Sequence, residues 1–216
     1  MFLAADHYDY LRHLSENKDK LFQEYISTVQ GQLESMRDTH LYAHDWKGFP
    51  LMAAGVKNRR HCKMCSQTMQ LISNIPGLLS AGFYALGPHS TIPPHKNLPP
   101  RILRMHMGLI VPDGCYFRVG NEQKPWHEAE WLVFRPYEEH EAVNNSDSTR
   151  VIFLLDVWED INHRKIWERL IIHLDGARFL LWQIRLFRPL FHMLNRNQTL
   201  RKILRYFSGE RKKRKH

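Results

Sequence analysis

Between Trp46 and Glu159 the chain is cut into short apolar runs by prolines, glycines, asparagines and aspartates. That punctuation limits the fold more than any other feature. The runs at 82–86, 102–111, 115–120, 131–135, 140–144 and 150–158 are short and rich in β-branched and aromatic residues, so each predicts a strand. Pro112-Asp113-Gly114 and Asn144-Asn145-Ser146-Asp147 predict tight turns between them. Strands so closely spaced, with no helical pattern between them, leave no room for parallel crossover units. They predict a mainly β sandwich or barrel, with the jelly roll as the natural closed form.

Helical periodicity returns on both sides. Tyr8, Leu11, Leu14, Leu21, Tyr25 and Val29 recur near a helical repeat, and residues 6–37 contain no proline, so they predict helix. Beyond Asn162, Leu180, Ile184, Phe187, Phe191 and Leu194 form one stripe, and Leu200, Ile203, Leu204 and Phe207 another, with arginines beside them. The expected organisation is an N-terminal helical segment over 1–45, a jelly-roll core over 46–160 and a basic amphipathic helical tail over 161–216.

Charge separates the tail from the rest. The chain has a net charge of +9, yet residues 162–216 hold fifteen lysines and arginines against three acids, and the first 161 residues hold sixteen against nineteen. The charge implies an anionic neighbour or a solvated face: a helix packed on the barrel with its arginines in water is one expectation for the tail, and peripheral contact with an anionic membrane the other. No nucleic-acid motif accompanies the charge, so no specific nucleic acid is expected. The start Met1-Phe2-Leu3-Ala4-Ala5-Asp6 lacks the basic and apolar regions of a signal peptide, and no apolar run reaches the ~20 residues that cross a bilayer. Cys62, Cys65 and Cys115 are too few for a disulfide framework. These features predict a cytoplasmic protein, or one attached to a membrane from the cytoplasmic side. Cys62 and Cys65 form a CxxC without a second pair and are read as structural.

Among fourteen histidines, His95 and His140 stand out by their surroundings. His95 follows Pro93-Pro94 just before a predicted strand, and His140 opens another 45 residues later. Loops and strand ends of a jelly roll converge at one mouth, where two neutral imidazoles suit Fe(II). Arg150, at the start of a third strand, could grip the distal carboxylate of a metal-chelating 2-oxoglutarate with its two-pronged guanidinium. Ordinary polar residues of a β-rich domain are the open alternative.

Residues 92–158 resemble the catalytic core of the aspartyl/asparaginyl β-hydroxylase family. The matching pieces are Pro94-His95, Leu103-Arg104-Met105-His106-Met107-Gly108-Leu109, Gly114-Cys115-Tyr116-Phe117-Arg118, Trp126, Phe134, Glu139-His140-Glu141 and the strand from Arg150 to Trp158. Asp45-Trp46-Lys47-Gly48-Phe49-Pro50-Leu51 is similar to the family's preceding segment, and the terminal helices lie outside this match. The resemblance implies a double-stranded β-helix (jelly roll, cupin-like) core. It implies an Fe(II)- and 2-oxoglutarate-dependent dioxygenase that hydroxylates an unactivated C–H bond and releases succinate and CO2.

By position, His95 and His140 would hold iron and Arg150 would bind 2-oxoglutarate. His106 and Arg104 would line the site near the metal-bound end of 2-oxoglutarate or the prime substrate. The family lacks a carboxylate ligand, and neutral Asn97 stands here where an acid usually sits. Two departures bear on substrate. Arg135-Pro136 replaces a pair of aspartates, and Ile102 occupies a position that is arginine in peptide-hydroxylating members. The first expectation is therefore an Asp/Asn residue or amino-acid-derived substrate. A lipid acyl chain, as in lipid A hydroxylases, is the second, and a non-catalytic binding module the third. His95, His140 and Arg150 together speak against the module.

Overall fold

The computed structural model describes residues 1–36, 45–97, 101–160, 162 and 166–183. Strands form at all six expected runs, the first of them starting four residues earlier than expected, and at five further segments: β1 (Glu34–Ser35), β2 (Trp46–Ala53), β3 (Val56–Lys57), β4 (Leu78–Leu86), β5 (Ser90–His95), β6 (Ile102–Ile110), β7 (Cys115–Val119), β8 (Glu122–Pro125), β9 (Trp131–Phe134), β10 (His140–Asn144) and β11 (Arg150–Trp158). The larger sheet has the order β1-β2-β4-β11-β6-β9, with β3 on β2, and the smaller has the order β5-β10-β7-β8. Every pairing between these strands is antiparallel. This is the expected double-stranded β-helix.

Alternation along β11 shows how the layers stack. Val151, Phe153, Leu155 and Val157 face a cluster with Leu11, Leu14, Leu21, Tyr25 and Ile72 from the helices. Ile152 and Leu154 face the other way, into a cluster with Ile92, Phe117 and Ala142 of the smaller sheet. The central strand is thus covered on both faces, which is why it reads as an unbroken apolar run. Phe153 is fully buried in the first cluster. Phe153→Ala is expected to cost about 3–5 kcal/mol of stability, measured by denaturant unfolding.

The N-terminal helix is not continuous. It divides into α1 (Asp9–Glu16) and α2 (Lys18–Glu24), followed by a wide turn at Tyr25–Val29 and a tight one at Gln30–Gln32. Asn17 leaves the helical conformation (φ −108°, ψ 19°), and the chain enters β1 by Glu34, so helix does not run to residue 37 as expected. The apolar periodicity survives the breaks because burial against one sheet face, not helix propensity, selects it.

Two further helices, α3 (Arg59–Met64) and α4 (Ser66–Ile72), have no counterpart in the periodicity reading. Asn58 caps the first by accepting from the His61 amide, and the buried Glu24 carboxylate accepts from the Gln67 and Thr68 amides at the start of the second. Cys62 and Cys65 sit on and just after α3 as free thiols. Burial pushes Cys65 up to about 12, in keeping with a structural role.

After β11, α5 (Ile166–Gln183) buries Glu168, Ile172 and Gly176 at intervals of four. Ile172 packs with Leu79 and Ile102. The stripes over 184–194 and 200–207 lie outside the described residues. No helix among the described residues is long and apolar enough to cross a membrane.

Candidate active site

The two sheets enclose a pocket. The larger contributes Trp46, Tyr84, Arg104, His106, Arg150, Ile152 and Leu154, and the smaller contributes Ile92, His95, Phe117, His140 and Ala142. Its empty volume is about 430 Å³ including the open mouth.

His95 and His140 are directly paired across β5 and β10, with ring centroids 4.2 Å apart. The pairing slips between His140 and Ala142: Ala142 faces Ile92, so Pro93 and Pro94 lie opposite Glu141 alone. Without that bulge, His95 and Ile92 would fall on opposite faces of the sheet; with it, both line the pocket. The prolines are tolerated because β5 is an edge strand.

Each imidazole is oriented in the same way. Nδ1 of His95 lies 2.8 Å from the Pro93 carbonyl, and Nδ1 of His140 lies 2.8 Å from that of Glu138. A carbonyl oxygen only accepts, so both Nδ1 atoms carry the proton and both Nε2 atoms are left with lone pairs. Burial lowers the pKa of His95. Burial first, and then its histidine neighbour, holds His140 at about 3. Two neutral imidazoles with fixed tautomers are what a divalent transition metal requires.

Arg150 lies at the opposite end of the pocket floor, 1% exposed, on the pocket face of β11. Its guanidinium lies over the Trp126 ring at 4.5 Å, while Nε and Nη1 are buried and have no hydrogen-bond partner. Burial pushes it down to about 10. Beside it, both ring nitrogens of His106 and Nε1 of Trp126 are also buried and unpartnered, and His106 stacks on Trp126. Burial and then Arg104 hold His106 well below the usual histidine range. A concentrated set of unused donors around an unneutralised cation suits a carboxylate.

Arg104 plays a different part. Its Nε and Nη2 donate to the two oxygens of Asp156 at 2.7 and 3.0 Å, and Nη1 donates to Asn97 Oδ1 at 3.2 Å. It lines the pocket, but its charge is largely balanced by Asp156. Ile102 is buried against α5, and Arg101 is exposed in the left-handed region (φ 69°), so no second cation takes its place. Arg135 pairs with Glu159, and the Pro136 carbonyl accepts from the Asn97 amide.

All five residues singled out in the sequence therefore line one pocket. Trp126, buried in the core between the sheets, packs against the Arg150 guanidinium and the His106 ring. Tyr84 and Asp156 were missed, although both share the strand parity of residues already chosen: Tyr84 pairs with Ile152, and Asp156 pairs with Arg104. Among the described residues, no group of three or more His, Cys, Asp or Glu side chains that could hold a metal is formed. The donor set is two imidazoles beside the amide of Asn97. It fits an ion that takes its remaining ligands from small molecules, as Fe(II) does in oxygenases.

Inward imidazoles at one side of the pocket and a buried guanidinium at the other stand on a cupin-like jelly roll. More narrowly, the chain belongs to the aspartyl/asparaginyl beta-hydroxylase family, whose pattern matches residues 9–160. The match begins with α1, so the N-terminal helices that the resemblance had placed outside belong to the family's domain.

The chain is 40% identical to the ornithine lipid ester-linked acyl 2-hydroxylase of Rhizobium tropici over 114 residues, 51% of this chain and 41% of that protein. It is 34% identical to the human aspartyl/asparaginyl beta-hydroxylase over 120 residues, 53% of this chain and 16% of that one. The matched segments thus span less than half the length of these relatives. Among solved structures, an oxalate decarboxylase assigned by prediction in Thermotoga maritima aligns with a TM-score of 0.42 and 11% identity, over 58% of this chain and 91% of that one.

Proposed function

We propose that the protein is an Fe(II)- and 2-oxoglutarate-dependent hydroxylase. The observation that carries the reading is Arg150, a buried cation with open donors facing the same pocket as two tautomer-fixed histidines. His95 and His140 would hold the iron through Nε2, and Arg150 would grip the far carboxylate of 2-oxoglutarate. When bound, iron and 2-oxoglutarate supply oxidising power for C–H hydroxylation, with 2-oxoglutarate leaving as succinate and CO2. The chain's own contribution is placement. The Pro93 and Glu138 carbonyls aim the imidazoles, Trp126 and His106 shape the carboxylate end, and Trp46, Tyr84 and Leu154 wall off water from the reacting carbon.

Between the two substrates expected from sequence, an acyl chain is favoured over an Asp or Asn side chain. Arg104, the second cation of the pocket, is already balanced by Asp156, and apart from Arg150, the three histidines and Tyr84 the lining is apolar. The Rhizobium tropici relative is named for hydroxylating an acyl chain of a lipid.

Purified protein given Fe(II), O2 and 2-oxoglutarate should release succinate, and omission of iron should abolish it. Ester-linked acyl lipid should raise the rate and give a product heavier by one oxygen atom. No succinate under any of these conditions would overturn the hydroxylase reading. Oxygen transfer to an Asp- or Asn-containing peptide and not to lipid would restore the first substrate.

A further inference from the structure

The outward side of α5 carries apolar residues where a solvated helix would carry polar ones. Ile166 is 82% exposed, Leu170 55% and Leu174 57%, and Leu180 and Leu181 are also exposed. At about 3.6 residues per turn, Ile166, Leu170, Leu174, Ala177 and Leu181 form one continuous stripe. Arg169 falls at one margin and Arg178 at the other, both exposed. The opposite side is committed to the barrel: Ile172 packs on Leu79 and Ile102, and a Cβ at Gly176 would lie 2.9 Å from the Ala54 carbonyl. The stripe therefore cannot be turned inward by rotating the helix in place.

We infer that this face of α5 docks on an anionic lipid surface, with the leucines entering the headgroup boundary and basic residues meeting the phosphates. Charge decides the occupant. The chain from Asn162 onward carries fifteen basic residues against three acids, so an apolar stripe is joined to the one strongly cationic stretch of the sequence. Position agrees. Ile172 shares a small apolar cluster with Ile102, which lies two residues before Arg104 on the same face of β6, and Trp158, paired with Ile102, follows Asp156 on β11. The helix is thus attached at the Arg104–Asp156 end of the pocket, away from buried Arg150, and docking would bring that end to the membrane. The inference does not rest on the hydroxylase reading, because vesicle binding is measured without turnover.

The test is co-sedimentation of the full chain with phosphatidylcholine vesicles that contain or lack phosphatidylglycerol, alongside the variant Leu170→Asp/Leu174→Asp. The wild-type protein should bind the anionic vesicles and release from them as salt rises. The double variant should bind at least about tenfold more weakly, since two apolar side chains are withheld from the boundary. Both positions are exposed, so the variant should keep the wild-type melting temperature.

Equal binding by the variant, or no binding by the wild type even at low salt, would overturn the inference. A fall in melting temperature comparable to a core substitution would show that the protein itself covers the stripe. A dimer broken by the variant, in a protein that ignores vesicles, would assign the face to self-association.

Discussion

His140→Ala is expected to reduce iron-dependent succinate production to background, and His95→Ala to do the same, each by at least on the order of 100-fold. Even a residue that only supports a metal ligand commonly changes affinity or activity by about 10- to 100-fold, and these two would be direct ligands. No redundancy is available: Asn97 is neutral, and its Oδ1 accepts from Arg104. Neither change should unfold the barrel. His95 is on the edge strand, and the Nδ1 bonds of both imidazoles are to carbonyls only two residues away, so the strand ladders do not depend on either side chain, although His140→Ala also gives up ring contacts with Phe117 and Phe134. Succinate should be measured with saturating Fe(II) and 2-oxoglutarate, with thermal unfolding as the check on folding. Near-normal turnover by either folded variant would remove that histidine from the metal site.

How far the sequence reveals the site depends on the range of the interaction that places each residue. Strand existence is local: composition and turn residues mark β6, β7, β9, β10 and β11, and the structure moves their ends by no more than one residue. The layering is also partly local. The unbroken apolar run from Val151 to Leu155 implies a strand covered on both faces, and so a helical layer outside the barrel.

What is not local was not legible. β5 contains Pro93-Pro94, which argues against a strand until it is known to be an edge. The bulge that turns His95 inward exists only in its pairing with β10. Arg104 looks like a free cation in sequence, because its partner Asp156 lies 52 residues away and becomes its neighbour only through the β6–β11 register. For the proposed function, that one cross-strand pair weighs towards an apolar chain over a carboxylate-bearing side chain.

Arg150 yields the sharpest forecast because it links stability to co-substrate binding. Arg150→Lys should weaken 2-oxoglutarate binding roughly tenfold to hundredfold, the equivalent of losing one charged hydrogen bond worth about 1.5–3 kcal/mol, since lysine keeps charge but loses the fork. Arg150→Met should go further and reveal the cost of the native residue. Burial brings the guanidinium from its ordinary 12.5 down to about 10, so the folded state disfavours the charged form. The sign is fixed. The penalty grows as pH falls from the unfolded value to about 10 and is fully present at every lower pH, including neutrality, where it is roughly 3 kcal/mol. A methionine of similar reach over Trp126 removes that penalty and keeps much of the packing. The variant without co-substrate should therefore melt a few degrees higher than the wild-type protein, while 2-oxoglutarate, expected to stabilise the wild type by binding only the folded state, should no longer raise its melting temperature. A variant that melts lower and still responds to 2-oxoglutarate would show that Arg150 is a structural cation and that another basic residue receives the carboxylate.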